Sequence, residues 1–369
     1  MAIKIGLVGL SQSGKTTIFN ALTGKAIKTG TFGAQSEDHI ATISVPDERI
    51  DYLAHVYNPK KITYAQVDFS DFGGQALSAQ DRESGKESMS LKNMRQVDAL
   101  AQVIRLFEDE AVLHPEGSID AVRDVVKIND DLVIADMVSI EKRLEKLQLN
   151  IKKIGKAGSA QDEKEMEILK RLQAVLDEGK FIREVELSAD EKKLVKGFCF
   201  LTQKPCIYIA NIGENEVGAA PSEQLAKLAK YAQDHKIPWI AICGKMEMEI
   251  MELPEEERAD YLKGLGIDTP GRNKLIQAAY SACNYISFLT AGEDEVRAWT
   301  ITRGDLAPEA AGTIHTDFQQ GFIRAEVCNF KEFVEDGGMA GAKQKGHVRL
   351  EGKEYIVQDG DIINFRFNV

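Results

Sequence analysis

Residues 9–16 read Gly9-Leu10-Ser11-Gln12-Ser13-Gly14-Lys15-Thr16 and lie between an apolar run, Ile3–Val8, and an apolar-periodic segment from Lys15 to about Leu22. This G-x-x-x-x-G-K-S/T spacing constrains the fold more than any other feature, because it acts only as a loop joining a strand to a helix. In that setting the backbone N–H groups and the positive helix end cradle phosphates, Lys15 reaches the β and γ oxygens, and the Thr16 hydroxyl binds Mg²⁺. Gly9, Ser11, Gln12, Ser13, Gly14, Lys15, Thr16 and Thr17 are the expected nucleotide-holding residues, and Lys15 also stabilises charge on a transferring phosphoryl group.

A chain of 369 residues fits about two or three domains. Apolar residues make up 43% and charged residues 28%, a globular balance, and no apolar run approaches the length of a bilayer span. With a strand-like start in place of a signal peptide, a cytoplasmic protein is expected, with no membrane contact. The five cysteines form no CxxC pair and no zinc spacing, so they read as reduced, packed thiols. A formal charge of −12 argues against general nucleic-acid binding; no DNA partner is expected, and any RNA contact must be local.

The first third alternates apolar strands with helical segments, the pattern of a mostly parallel sheet covered on both faces. Candidate strands are Ile3–Val8, Ile40–Val45, Ala65–Phe69 and Ala99–Phe107, with Cys206–Ala210 and Trp239–Ile242 completing the sheet after an insertion. Within the insertion, Val133, Met137, Ile140, Leu144, Leu147, Ile151 and Ile154 repeat at spacings of 4 and 3, a three-heptad seam. Gly155–Ser159 supplies a turn, and Met166, Leu169, Leu172 and Leu176 give a returning stripe, so an antiparallel helical hairpin is expected. A further helix is predicted from Ser188, with Glu191 in capping-box spacing. The hairpin reads either as a structural arm or as a contact arm whose tip carries Lys152, Lys153 and Lys156. Short strand-like runs at Ile286–Leu289, Ala298–Ile301, Ile323–Val327, Tyr355–Val357 and Ile362–Phe367 predict a small mixed-sheet C-terminal domain.

A metal partner is expected at the end of a second strand, where Asp71 opens Asp71-Phe72-Gly73-Gly74 about 55 residues after the loop. Asp71 is the candidate to hold Mg²⁺ beside Thr16, either as a direct ligand or from behind the ion's immediate ligands, and the Gly74 N–H is placed to sense a γ-phosphate and couple hydrolysis to a moving loop. Guanine-specific relatives of this architecture carry N-K-x-D after a later strand. Here the strand Cys206–Ala210 ends in Asn211-Ile212-Gly213-Glu214, without the Lys and with the longer Glu, which weakens the geometry that excludes adenine. Asn211, Ile212 and Glu214, with Cys243 and Gly244 of a second loop that continues to Lys245, form the expected base site. The alternative is that Asn211 merely caps a turn.

These motifs, together with Phe288-Leu289-Thr290-Ala291-Gly292-Glu293, Val296-Arg297-Ala298-Trp299-Thr300-Ile301, His315-Thr316-Asp317-Phe318, Gly321–Glu326 and Leu350–Val369, resemble the YchF proteins of the Obg branch of P-loop NTPases. Arg95–Ala99, Phe107–Glu110 and Tyr208–Asn211 extend the likeness over nearly the whole chain. The resemblance implies an α/β fold with three parts. These are a P-loop nucleotide-binding domain (residues 1–128 and 201–280), an inserted antiparallel coiled-coil arm (129–200) and a C-terminal ubiquitin-like β-grasp or TGS domain (281–369). It also implies ATP in preference to GTP, with Mg²⁺, and association with ribosomes. Between Ile286 and Val369 there are 14 acidic against 9 basic residues, so a ribosomal protein surface is as plausible a partner as rRNA.

The departures from that family are specific. Its loop usually reads G-L-P-N-V-G-K-S, whereas here Ser11, Gln12, Ser13 and Thr16 stand at the variable places; Gln12 replaces the Asn that helps hold K⁺ in related enzymes. The Gly-rich stretch after D-x-x-G is replaced by Ser84–Ser88, and the Thr-containing first switch lacks a counterpart in Phe32–His39. Gln75 follows Gly74 where the family has an apolar residue, and Gln is the side chain that orients water in Ras-like enzymes. His114 competes for that role, falling where the family carries a proposed catalytic histidine; its other reading is a surface loop residue. The expected function is a slow ATPase switch. Its rivals are an Obg-type GTPase and a nucleotide-gated binding module that scarcely hydrolyses.

Overall fold

The computed structural model describes residues 3–24, 27, 38–72, 88–154, 160–264, 267 and 269–368. Along the chain these form β1 (Ile3–Val8), α1 (Lys15–Thr23), β2 (His39–Ser44), α2 (Glu48–Tyr57), β3 (Lys61–Thr63), β4 (Gln66–Asp71), α3 (Met89–Arg95), β5 (Ala99–Arg105), α4 (Ala121–Ile154), α5 (Ala160–Asp177), β6 (Cys206–Asn211) and β7 (Trp239–Ile242). Later helices alternate with β8 (Tyr285–Ala291), β9 (Glu295–Thr302), β10 (Phe322–Asn329), β11 (Arg349–Glu351) and β12 (Asp361–Phe367).

One sheet has the order β2-β4-β1-β5-β6-β7. Its central pairs, β1 with β5, β5 with β6 and β6 with β7, are all parallel. The central strand β5 is buried at every position, and such double-sided burial explains why it reads as a nearly unbroken apolar run. The carboxyl ends of β1 and β5 point the chain into the loops at Gly9 and Phe107, where an open α/β sheet places its ligands.

Contacts divide the chain into two compact units, one of residues 4–41 and 69–272 and the other of 1–3, 42–68 and 273–369. In the first, α4 is a single helix of 34 residues that begins eight positions before the insertion expected at 129. Ile140, Leu144 and Leu147 bury against Ile168, Leu169, Leu172 and Leu176, while Val133 and Met137 pack at the margin. Arg143 forks onto both oxygens of Glu165 at 2.7 Å, tying α4 to α5 across the turn. Ser188 caps the next helix, Ala189–Val195, with the reciprocal Glu191 bond that the sequence predicts. At the arm's root Arg95 bonds Asp136 at 2.8 Å, and Asp136 also accepts from Leu201 N–H, Thr202 N–H and the Thr202 hydroxyl. Both side chains are buried, so this carboxylate has its full set of partners where an unpaired one would be costly. The turn Gly155–Ser159, including Lys156, and the Lys153 side chain fall outside the described residues; Lys152 is exposed.

In the second unit the order β11-β10-β12-β8-β9-β3 places parallel β8 and β12 at the centre, with antiparallel neighbours outside. Taking β8 to β12 as five strands in sequence, this is the ubiquitin-like β-grasp order. Phe288, Phe322, Phe365 and Ile363 form its core against Ala307, Ala310 and Ala311 of the helix Ala307–Ile314. Three alanines in one turn and a half let that helix lie close on the sheet. The segment Tyr355–Val357, expected as a strand, makes only one bridge, Ile356 to Leu306. Two three-residue strands, β3 and β11, were not expected. Within the same unit Arg49 bonds Asp47 at 2.8 Å and Asp359 at 3.0 Å, and Tyr52 and Tyr57 of α2 pack on Phe330 and Phe333.

Candidate functional site

The loop after β1 is shaped by three positive-φ residues, Gly9 (151°), Gln12 (61°) and Gly14 (90°). A Cβ at Gly9 would lie 2.4 Å from the Val103 carbonyl oxygen of β5, and one at Gly14 would lie 2.2 Å from Asn211 Nδ2. Both glycines are therefore required by close approach as well as by backbone angle. Gly14 is the residue before α1, whose first amides face into the loop. Lys15 folds back over it, donating from Nζ to the carbonyls of Leu10 at 2.9 Å and Gly9 at 3.1 Å. Burial pushes the Lys15 ammonium below its ordinary value, and the nearby Asp71 carboxylate opposes that shift.

Thr16 Oγ1 donates to Asp71 Oδ2 at 2.7 Å, which brings together the two metal-ligand candidates. Burial pushes the Asp71 carboxyl up, the Thr16 bond, Lys15 and His39 pull it down, and Asp38 pushes it up again. A hydroxyl and a buried carboxylate in contact are hard oxygen donors of the kind Mg²⁺ takes, so these residues fit the ion.

Asn211 is 3% exposed, and both polar atoms of its side chain are bonded within the protein. Nδ2 donates to Ser13 O at 3.0 Å and Oδ1 accepts from Gly244 N at 3.1 Å, while its carbonyl accepts from Leu106 and Phe107 N–H. The residue thus ties the end of β6 to the phosphate loop, to the loop after β5 and to the start of the helix Gly244–Glu252. It does more than cap a turn, the sequence alternative: its amide links the phosphate loop to the second loop expected at the base site. Ile212 and Cys243 bury their side chains in the apolar core, leaving only their backbones for a ligand. Glu214 is half exposed and pairs with Lys245 at 2.6 Å, across the two loops expected to embrace a base.

His114 is not a surface residue: its side chain is 6% exposed, with Nε2 at 3.0 Å from Asp124 Oδ2 and Nδ1 accepting from Glu116 N at 3.1 Å. It lines a narrow pocket with Leu10, Ser11, Ser13, Arg105 and Asp124, against the phosphate loop. Gln75 and Gly74, and the replaced segment Ser84–Glu87, fall outside the described residues, as do Phe32–Glu37.

Two members of this pocket were not anticipated. Arg105, at the end of β5 and 4% exposed, donates to the carbonyls of Phe107 and Asp109 and lies over the Phe107 ring at 4.5 Å. Its Nη1 and the Ser13 hydroxyl have no partner among the described residues. Burial lowers the Arg105 guanidinium's affinity for its proton, with Asp109 opposing. The signal in the sequence was an arginine closing a run, Ala99–Ile104, that is apolar but for Gln102. Asp124 gave none, because its relation to His114 crosses a turn and has no period.

A family model described as a 50S ribosome-binding GTPase matches residues 4–139, and the model of the C-terminal part of YchF GTPases, described as a protein of unknown function, matches residues 285–368. The chain is 42% identical to the ribosome-binding ATPase YchF of Bacillus subtilis and 41% identical to that of Haemophilus ducreyi, in each case over 100% of both chains. The solved structure of the Schizosaccharomyces pombe YchF GTPase superposes with a TM-score of 0.80 at 30% identity, over 99% of this chain and 97% of that one. With full-length identity at this level and a phosphate loop, β-grasp order and inserted hairpin in place, the chain belongs to the YchF family of P-loop NTPases.

Proposed function

We propose that this protein is a slow, Mg²⁺-dependent ATPase whose nucleotide state governs its association with the ribosome in the cytoplasm. The observation that carries the reading is the contact of Thr16 with Asp71 beside the part-buried Lys15. Lys15 and the loop amides stabilise charge spreading over the transferred phosphoryl group, and Asn211 keeps the loop in the shape that aims them. Thr16 and Asp71 are the residues that would hold Mg²⁺, which supplies charge neutralisation on the phosphate oxygens. Gln75 or His114 orients the attacking water. No arginine from the chain is assigned to the phosphates, so unstimulated turnover is expected below the roughly 1–10³ s⁻¹ common among enzymes.

The functional division follows as part of the proposal: a nucleotide domain of residues 1–128 and 201–280, an arm of 129–200 and a TGS domain of 281–369, the last two meeting the ribosome. The bacterial relatives are named as ribosome-binding ATPases, which favours ATP and this partner. The fission-yeast relative is titled a GTPase, which keeps GTP as the second reading. Titrating labelled ATP and GTP with Mg²⁺ decides between them. GTP bound at least about tenfold tighter, 1.4 kcal/mol, replaces ATP as the substrate. Tight binding of ATP with no phosphate released, even with ribosomes added, leaves a nucleotide-gated binding module.

A further inference from the structure

His114 is held by two hydrogen bonds of unequal strength. Glu116 N–H can only donate, so the Nδ1 that receives it is the unprotonated nitrogen, and the ring proton sits on Nε2, directed at Asp124. Asp124 is itself fixed: Arg123 reaches its Oδ1 through Nε at 2.9 Å and Nη2 at 2.8 Å, and its side chain is 5% exposed. The bond to the buried carboxylate is charge-assisted; the bond from Glu116 is a neutral contact two residues away within a turn closed by Gly117 N–H to His114 O at 3.0 Å. For Nδ1 to meet a water while Nε2–H keeps its bond to Asp124, the Glu116 bond is the one that must yield, and as a neutral contact it is the weaker of the two.

We propose that Asp124 is the positioning residue of the hydrolytic water's acceptor: it imposes the Nε2–H tautomer on His114, so that Nδ1, once released by Glu116 N–H, faces the water. This rests on the reading of the protein as an NTP hydrolase that uses His114. In the step the water oxygen bonds to the γ-phosphorus, and the bond from that phosphorus to the bridging oxygen breaks, its electron pair leaving on the nucleoside diphosphate. A water proton passes to Nδ1 and afterwards to bulk solvent. Asp124 remains ionised throughout and stabilises the transient imidazolium, the role a buried carboxylate plays behind a catalytic histidine. In the observed arrangement Nδ1 is occupied, so the same contacts that prepare the ring also hold it at rest. The pocket sets it beside Ser11 and Ser13, within the loop that receives the phosphates.

The test is single-turnover ATP hydrolysis by full-length wild type, Asp124→Asn, Asp124→Glu and His114→Ala, with ¹⁵N-imidazole spectra of the wild type assigned through His114→Ala. Asp124→Asn is expected to lose about 10- to 100-fold in rate, part of the roughly 10²–10⁴-fold that a general base contributes, because the ring stays but its orientation is lost, while binding ATP as the wild type does, and Asp124→Glu to recover part of the loss. The spectra are expected to show an Nε2–H tautomer that persists when a non-hydrolysable ATP analogue and Mg²⁺ are added, with Nδ1 shifting as its bond is exchanged. A wild-type rate in Asp124→Asn with a slow His114→Ala overturns the role of Asp124 alone. A wild-type rate in His114→Ala removes the His114 reading beneath it. Should the variants fail to fold, an Nδ1–H tautomer in the wild-type spectrum overturns the proposal by itself.

Discussion

The Thr16 hydroxyl donates to Asp71 Oδ2 at 2.7 Å, joining residues 55 apart in sequence. Burial raises this carboxyl above its ordinary value, so a proton competes with any cation for it. A raised folded-state value means that protonated Asp71 stabilises the fold at low pH and that this contribution is lost as pH rises through it. Mg²⁺ binding has the opposite sign. Nucleotide-dependent Mg²⁺ affinity is predicted to strengthen as pH rises through the raised Asp71 value and then to level off. Titration of Mg²⁺ against labelled ATP at several pH values checks this; Asp71→Asn is expected to bind more weakly and to show a flatter pH response.

Lys15 is a part-buried, largely desolvated cation that bonds two carbonyls and lies near one carboxylate. Lys15→Met is predicted to cut hydrolysis by more than about 100-fold, the scale of losing a group aimed at developing charge, without loss of stability, because the substitution removes a desolvated ammonium. Urea melts alongside phosphate release separate the two effects. A variant that is inactive only because it unfolds would contradict this account.

Asn211→Ala strips buried partners from Ser13 O and Gly244 N–H. A loss of about 1–3 kcal/mol is expected for such orphaned groups, together with weaker binding of ATP and GTP alike. Glu214→Gln, at a half-exposed ion pair, is predicted to change stability by less than about 0.5 kcal/mol but to alter the ratio of ATP to GTP affinity. An unchanged ratio would take Glu214 out of the base site.

Leu144 is buried between α4 and α5. Leu144→Ala is predicted to cost about 2–5 kcal/mol and to be felt as lost hydrogen-exchange protection within residues 121–177. Basal hydrolysis is expected to stay at the wild-type level while ribosome co-sedimentation falls. Full retention of co-sedimentation with a loosened arm would leave the hairpin a structural element only.

The phosphate loop and the parallel strands were legible because each depends on local signals, a fixed spacing or a buried run. The hairpin was legible through its 4-and-3 period, although its first helix starts at Ala121, where the side chains face the sheet core and the heptad has not begun. β3 and β11 were missed because three residues are too few to show alternation, and Tyr355–Val357 was misread because its apolar residues serve one bridge and the core. At the site, Asn211 was identified from its place after β6, but its bonds to Ser13 and Gly244 were not, since they cross between loops distant in sequence and leave no local pattern. His114 looked exposed beside Pro115 and Glu116; only the fold brings Asp124 over it.

The unbroken helix α4 begins within three residues of Asp124 and ends at the arm's tip, 34 residues on. At 1.5 Å per residue it is a rod of about 50 Å, so a tilt of about 5° at its first turn displaces the far end by about 4 Å. Leverage of that size turns a small rearrangement beside the phosphates into a distance a macromolecular partner can feel.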